Sequence, residues 1–352
     1  MSSILQLLRA VLSQPTAPFH EDAVRGEIIM QLAQLSRVTV EQDDFGNVIA
    51  CYRGCSGHAE YAFSAHMDHP AYVMKATADT GNTGFNAGSS VLSPSLPDPV
   101  LPVSPVAFDL SGWEFMGGVP EEYRANGRIR EFGAFAMWDL PACELRDGFI
   151  HSRACDDLIG CVAILALFQE LERSEAEATV YGLFTRAEEV GFVGAIQLAR
   201  SRKVSRDLTI VSLETSSEKA PGCRMGAGPI VRVGDRTAIF DDTATAILTQ
   251  LATAAKLSFQ RCLMNGGTCE ATAYQLYGYR TAGLCVALGN YHNCGPDFQI
   301  AAEYVALDDV LGMIELMRLA VTNEQPADPH RALRERLEAG VEKYRPYFED
   351  RG

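Results

Sequence analysis

Tyr61-Ala62-Phe63-Ser64-Ala65-His66-Met67-Asp68 is the stretch whose reading decides the fold. A short, nearly continuous apolar run ends on an imidazole and then a carboxylate, the pattern of a buried strand with chemistry at its C-terminal end. The same punctuation recurs downstream. Thr179 to Phe184 precedes Glu188-Glu189, Leu208 to Leu213 precedes Glu214, and Ala282 to Leu288 precedes His292. Helical periods lie between these runs, from Leu158 to Leu171, Phe192 to Ala199, Ala238 to Ala255 and Ala306 to Val321. The alternation predicts an α/β fold, a phosphorylase/hydrolase-like mixed sheet flanked by helices. Open sheets of this kind gather their sites at the carboxyl ends of strands.

Working outward, Ile4, Leu7, Leu8, Val11 and Leu12 fall at helical spacing after Ser2-Ser3. A second helix starts near His20 with Val24, Ile28, Leu32 and Leu35 on one face. Val38-Thr39-Val40, the turn Asp44-Phe45-Gly46-Asn47 and Val48 to Tyr52 read as a hairpin. After Met74 the texture changes to short β-like runs among Gly, Ser and Pro, with Pro94, Pro97, Pro99, Pro102 and Pro105 close together. Residues 71–150 are therefore expected to form a small inserted β-rich domain, and 1–70 with 151–352 the main domain. Val100-Leu101 and Phe132 to Trp138 are expected exposed apolar stretches suited to self-association. Ala332 to Tyr344 reads as a surface helix.

Composition narrows the function. With 30 Lys and Arg against 45 Asp and Glu, the net charge is -15, which opposes binding to nucleic acid. Met1 to Leu12 lacks the parts of a secretion signal, and no apolar run is long enough to span a bilayer. Ten Cys lie scattered without zinc-finger spacing. These features predict a cytoplasmic protein with reduced thiols and no membrane partner.

Five candidate metal ligands thus emerge: His66, Asp156, Glu189, Glu214 and His292. Residues two apart on an extended chain share a side, so Asp68 can reach the His66 imidazole and fix its tautomer. For a lone His, the plainer reading is a hydrogen-bonded core residue. Asp156-Asp157 sits where a carboxylate caps the following helix, yet capping needs only one acid, and a carboxylate can bridge two cations. Glu188-Glu189 reads either as a solvated acidic pair at a helix start or as a ligand beside a free base. Taken together the set points to a two-metal hydrolase.

These motifs resemble the dinuclear zinc exopeptidases, and within them the glutamyl-aminopeptidase and tetrahedral-aminopeptidase branch with its cellulase M-like members. The resemblance runs through Asp44-Phe45-Gly46-Asn47, Ala65-His66-Met67-Asp68, Ala154-Cys155-Asp156-Asp157 with Gly160-Cys161, Glu188-Glu189-Val190-Gly191 with Gly194-Ala195, Gly266-Gly267-Thr268 and Tyr291-His292. It implies an aminopeptidase that removes N-terminal residues from short peptides. It also implies His66 and Glu214 on one metal, Glu189 and His292 on the other, Asp156 bridging, Glu188 as general base, and Asp68 orienting His66. Two divalent ions are implied, zinc in the first place with cobalt or manganese as alternatives. A cis peptide between Asp156 and Asp157 and a homo-oligomeric assembly belong to the same resemblance.

The chain departs from the branch at Glu214, where aminopeptidases carry Asp, and at His69, Cys269-Glu270 and Asn290. Glu at position 214 keeps open a carboxypeptidase or an N-acyl amino acid deacylase, and the other departures keep open a degenerate scaffold protein. A nucleophilic Cys155 or Cys294 is a further enzyme reading.

Overall fold

The computed structural model describes residues 2–54, 59–75, 111–323 and 328–349. Its strands are β1 (Val38–Gln42), β2 (Val48–Arg53), β3 (Ala59–His66), β4 (Ala71–Met74), β5 (Trp113–Met116), β6 (Ile129–Glu131), β7 (Phe135–Trp138), β8 (Glu144–Arg146), β9 (Phe149–Ser152), β10 (Thr179–Thr185), β11 (Thr209–Ser217), β12 (Ile230–Asp235), β13 (Gln260–Met264), β14 (Arg280–Leu288) and β15 (Glu303–Ala306). Eight of them form one mixed sheet in the order β1-β2-β10-β3-β11-β14-β12-β13. The four central strands, β10, β3, β11 and β14, run parallel, so their C-terminal ends share one edge.

Side-chain alternation along β3 explains how the sheet is covered. Phe63 and Ala65 pack into the large core with helices Ser2–Leu12, Leu158–Arg173 and Leu307–Thr322, while Ala62 joins Leu198, Ala273 and Tyr274 on the other face. Period two puts the intervening Ser64 and His66 on that second face, which leaves the imidazole at the sheet edge. Helix Leu158–Arg173 is buried on nearly every side, so its sequence is apolar without a polar stripe.

The hairpin of β1 and β2 pairs antiparallel through Glu41 and Ile49. Its turn is held by Asp43, whose Oδ1 accepts the amides of Phe45 and Asn47, and by Gly46 at φ 80°, a backbone that glycine adopts without cost. β11 runs on to Ser217, so Glu214 lies inside the strand rather than at its end; pairing with β14 through Leu288 extends it. Strands β12 and β13 lie beyond β14, and neither is evident as an apolar run because Arg232, Gly234 and Asp235 interrupt the first and Gln260-Arg261 open the second.

β5, β4, β7 and β6 form a separate four-stranded sheet. Phe135, Ala136, Met137 and Trp138 are buried in it, which corrects the expectation of an exposed stretch from Phe132 to Trp138. Trp138 packs edge-on against Tyr72 at 5.6 Å, and Phe115 completes the cluster. Val100-Leu101 and the Pro-rich run lie outside the described residues. β8 and β9 continue to β15, which pairs with β9 through Val305 and Ile150. The C-terminal helix Arg331–Tyr344 buries none of its residues.

Candidate metal centre

The five candidate ligands and Glu188 reach one cavity at the shared strand edge, while Asp68 is buried behind it. His66 is the last residue of β3, Glu188 and Glu189 follow β10, Glu214 lies in β11, and His292 follows β14. Asp156 arrives from the loop before helix Leu158–Arg173, and its peptide with Asp157 is cis. The two acids divide the work that either could do. Asp157 Oδ1 accepts the Gly160 amide at 3.1 Å and caps the helix, which leaves Asp156 free for the site.

Asp156 stands between the imidazoles. Its Oδ1 lies 3.5 Å from His66 Nε2 and its Oδ2 lies 3.6 Å from His292 Nε2, while His292 Nε2 is 3.3 Å from Glu189 Oε1. His66, Asp156 and Glu214 offer ligand atoms within 4.8 Å of one another, and so do Asp156, Glu189 and His292. These two triplets share only Asp156; a third group, His66, Glu188 and Glu189, meets the same spacing and links them. Asp156 Oδ1 and Glu189 Oε1 are buried without a hydrogen-bond partner among the described residues, a costly state for carboxylate oxygens that a cation relieves. The donor set fits a pair of divalent ions: two imidazoles, two terminal carboxylates and one carboxylate able to bridge.

The electrostatics point the same way. Burial pushes the Glu214 carboxyl up to about 8, with His66 and Arg232 opposing and Asp156 adding to the rise. Burial likewise drives Glu188 well above the ordinary carboxylate range, against the pull of His66. Desolvation would lower His66 and His292, but the facing carboxylates, led by Glu188 and Glu189 respectively, hold both well above the usual imidazole value. Buried acids this crowded repel each other unless protons or cations intervene.

Supporting residues set the geometry of the candidate ligands. His66 Nδ1 faces the Asp68 main-chain oxygen at 3.1 Å and the Asp68 Oδ1 at 3.5 Å. The Asp68 carboxylate accepts the Glu188 and Glu189 amides, which aims the acidic pair. Arg186 ties that loop outward: its amide donates to Asn47 Oδ1 at 3.0 Å and its Nε to Glu21 Oε2 at 2.6 Å. The motif at residues 44–47 therefore acts from outside the cavity, by bracing the Glu188-Glu189 loop.

Sequence reasoning passed over Glu21, Arg232 and Glu303, and read Glu270 and His69 only as departures. Glu303 sits between Ala302 and Tyr304 at the start of a strand; an acid in that setting was the available signal. Glu270 is buried and accepts from the hydroxyls of Ser64 and Thr185, which hold it behind His66. Arg232, buried on β12, lines the cavity. Its Nη1 donates to Ser216 Oγ at 3.3 Å, its Nε has no partner, and no ion pair to it occurs among the described residues. The nucleophile reading of cysteine finds no support: burial raises both Cys155 and Cys294, and the nine described cysteines are free thiols.

Comparison with known proteins bears on the same residues. The family model of the M42 glutamyl aminopeptidases matches residues 124–316, more than half of the chain. The chain belongs to that family. This M42 peptidase is a metal-dependent aminopeptidase, and its family works with two metal ions. A protein of Acetivibrio thermocellus, whose aminopeptidase assignment is itself provisional, is 28% identical over 269 residues, 70% of this chain and 78% of its own. The fold matches the TET1 peptidase of Pyrococcus horikoshii, at 19% identity and a TM-score of 0.67 over 91% of this chain and all of that one. It also matches an aminopeptidase of the archaeon Desulfurococcus kamchatkensis, at 20% identity and a TM-score of 0.66 over 92% of this chain and 96% of that one. Among the described residues of the M42 chain, no helix is long and apolar enough to cross a membrane.

Proposed function

We propose that this M42 peptidase removes N-terminal residues from short peptides using His66, Asp156 and Glu214 at one metal and Asp156, Glu189 and His292 at the other. Two ligand triplets sharing one carboxylate carry the reading. Zinc suits the mixed imidazole and carboxylate donors, with cobalt and manganese as substitutes of similar preference. When bound, such ions polarise a carbonyl and lower the pKa of water to about 7.

The protein's own groups supply the rest. Glu188 lies 4.0 Å from His66 Nε2 at the edge of the cavity and is raised by burial, so it can accept a proton from the attacking water and pass it to the leaving amine. Asp68 holds the Glu188 main chain in place for both transfers. The cavity, about 500 Å³, suits a short substrate end. In its wall Arg232 presents a buried guanidinium without an ion pair among the described residues, and we read it as the recognition point for an acidic N-terminal side chain. That assignment agrees with the family's description as glutamyl aminopeptidases.

We further read residues 71–150 as an inserted module that helps assemble copies of the chain. The TET1 peptidase of Pyrococcus horikoshii assembles into a tetrahedron or an octahedral shell. Gly118, from this segment, reaches the cavity, with its carbonyl 3.4 Å from His292 Nδ1.

The deciding experiment strips the protein of metal, reloads it with zinc or cobalt, and offers free-amino peptides, aminoacyl anilides and N-acylated amino acids. Metal-restored cleavage of the first two classes is expected. Cleavage confined to N-acylated substrates would instead mean that Glu214 marks deacylase chemistry.

A further inference from the structure

Glu303 joins two loops that are distant in sequence and carry ligands for different parts of the centre. It is fully buried, with Oε2 accepting the amides of Cys155 at 2.7 Å and Asp156 at 3.1 Å, and Oε1 accepting the amide of His292 at 2.8 Å. Three main-chain N–H groups converge on its two oxygens, so both loops are held against one rigid group. The His292 loop needs such a hold. Asn290, His292 and Asn293 have φ of 53°, 53° and 61°, left-handed conformations uncommon for residues other than glycine.

A second tie runs alongside. His69 Nδ1 faces the Asp156 carbonyl oxygen at 2.7 Å and its Nε2 faces Asn293 Oδ1 at 3.0 Å. The Asn293 amide is oriented by donating to the carbonyls of Arg153 and Ala301. Glu303 does not line the cavity, so it has no route to substrate except through the loops.

We infer that Glu303 is a positioning residue of the metal centre, its carboxylate fixing Asp156 against His292 so that the second ion is held and turnover proceeds. The inference rests on the ligand assignment above. Glu303→Gln keeps the size but replaces one acceptor oxygen with an NH2 group. Whichever way the amide faces, an N–H then meets either the Cys155 and Asp156 amides or the His292 amide. Glu303→Asp keeps the charge and shortens the reach, so it cannot span both loops.

The test titrates zinc into EDTA-stripped wild type, E303Q and E303D, and measures kcat and KM on an aminoacyl anilide. E303Q is expected to bind one ion as wild type does and the second ten- to a hundredfold more weakly. Its kcat should fall in step, recover partly in excess zinc, and leave KM nearly unchanged; a purely structural defect would show no zinc rescue. Wild-type affinity for both ions with wild-type kcat in E303Q overturns the inference. Should E303Q fail to fold, the same outcome in E303D overturns it. Asp156→Asn separates the two readings: retention of both ions in that variant sinks the ligand assignment itself, whereas its loss of metal beside wild-type behaviour in E303Q and E303D removes only the role of Glu303.

Discussion

Asp68 and Glu188 are joined through the main chain: Asp68 Oδ1 accepts the Glu188 amide at 2.9 Å, while Oδ2 accepts the Glu189 amide at 3.1 Å. One buried carboxylate thereby aims both the proposed base and a proposed ligand, in addition to facing His66. Asp68→Asn puts an NH2 group against one of those amides. We expect kcat to fall about ten- to a hundredfold with KM little changed and metal content largely kept. Steady-state kinetics with metal analysis checks this, and a variant with wild-type kcat would remove Asp68 from the proposed machinery.

Glu188→Gln should be more severe, because it deletes the proton acceptor without disturbing the ligands. A loss of about a hundred- to ten-thousandfold in kcat is expected with both ions still bound. An active E188Q enzyme would sink the general-base assignment.

Metal and protons should compete at this centre. Burial raises Glu214 to about 8, so between its ordinary 4.5 and that value the folded metal-free chain keeps a proton that the unfolded chain has released. This group's contribution to stability therefore declines as pH rises across the window. His66 and His292 act in the same direction: their contribution is complete below about 6.5 and is lost as pH rises through their raised folded values. The metal-free protein is expected to melt highest near about pH 5 and progressively lower toward about pH 8. Zinc displaces these protons, so the loaded protein should show a flatter profile, and zinc uptake near neutral pH should release protons. Melting curves of both forms across this range, with calorimetry in buffers of different ionisation heat, test the sign. A metal-free protein that gains stability with rising pH would contradict it.

The candidate ligands were legible because burial makes polar residues conspicuous: an apolar strand ending in His66, or followed by Glu188-Glu189, carries side chains that stand out from their surroundings. Glu214 was legible for the same reason although its strand continues to Ser217. What escaped acts through main-chain amides. Glu303 and Glu21 make their contacts with residues far away in sequence, and no spacing rule connects Glu303 to Cys155 or Glu21 to Ala187. Arg232 escaped because a short strand with one basic residue reads as solvent-facing until the sheet order places β12 beside β14, at the cavity.

Gly194 shows how closely the acidic loop is braced. A Cβ at this position would meet the Arg186 amide nitrogen and carbonyl oxygen at 2.5 Å, and the Asn47 side chain closer still. Main chain cannot yield as a flexible side chain can, so Gly194→Ala should destabilise the protein by about 1–3 kcal/mol. Because the displaced segment carries Glu188 and Glu189, activity should fall at temperatures where the variant remains folded. Denaturant melts alongside kinetics check both parts.

Thiol chemistry should be dispensable. Among the described residues Cys294 Sγ hydrogen-bonds to the His292 carbonyl oxygen, at 3.6 Å, and burial raises its pKa, so it is neither ionised nor paired with a base there. Cys294→Ala is expected to keep at least about half of the wild-type kcat/KM, a change within about 0.4 kcal/mol of barrier. A loss of a hundredfold or more would revive the nucleophile reading.

Arg232 carries the prediction about substrate choice. Its guanidinium is buried in the cavity wall with Nε unsatisfied, and a carboxylate placed there would gain charge-assisted, bidentate hydrogen bonds in a partly dehydrated setting. Hydrogen bonds to charged groups are worth about 1.5–3 kcal/mol, equivalent to roughly ten- to a hundredfold in kcat/KM. Arg232→Met keeps the packing of the stem and removes the fork. It should lower kcat/KM for glutamyl and aspartyl anilides by that factor and leave leucyl or alanyl anilides nearly unchanged. Glu214 stands close enough to Arg232 to influence its titration, so a purely electrostatic role in holding that ligand is the competing account. The two accounts part on the neutral substrates: an equal loss on all anilides, with weaker zinc binding, assigns Arg232 to the metal centre, whereas a loss confined to acidic side chains assigns it to the substrate.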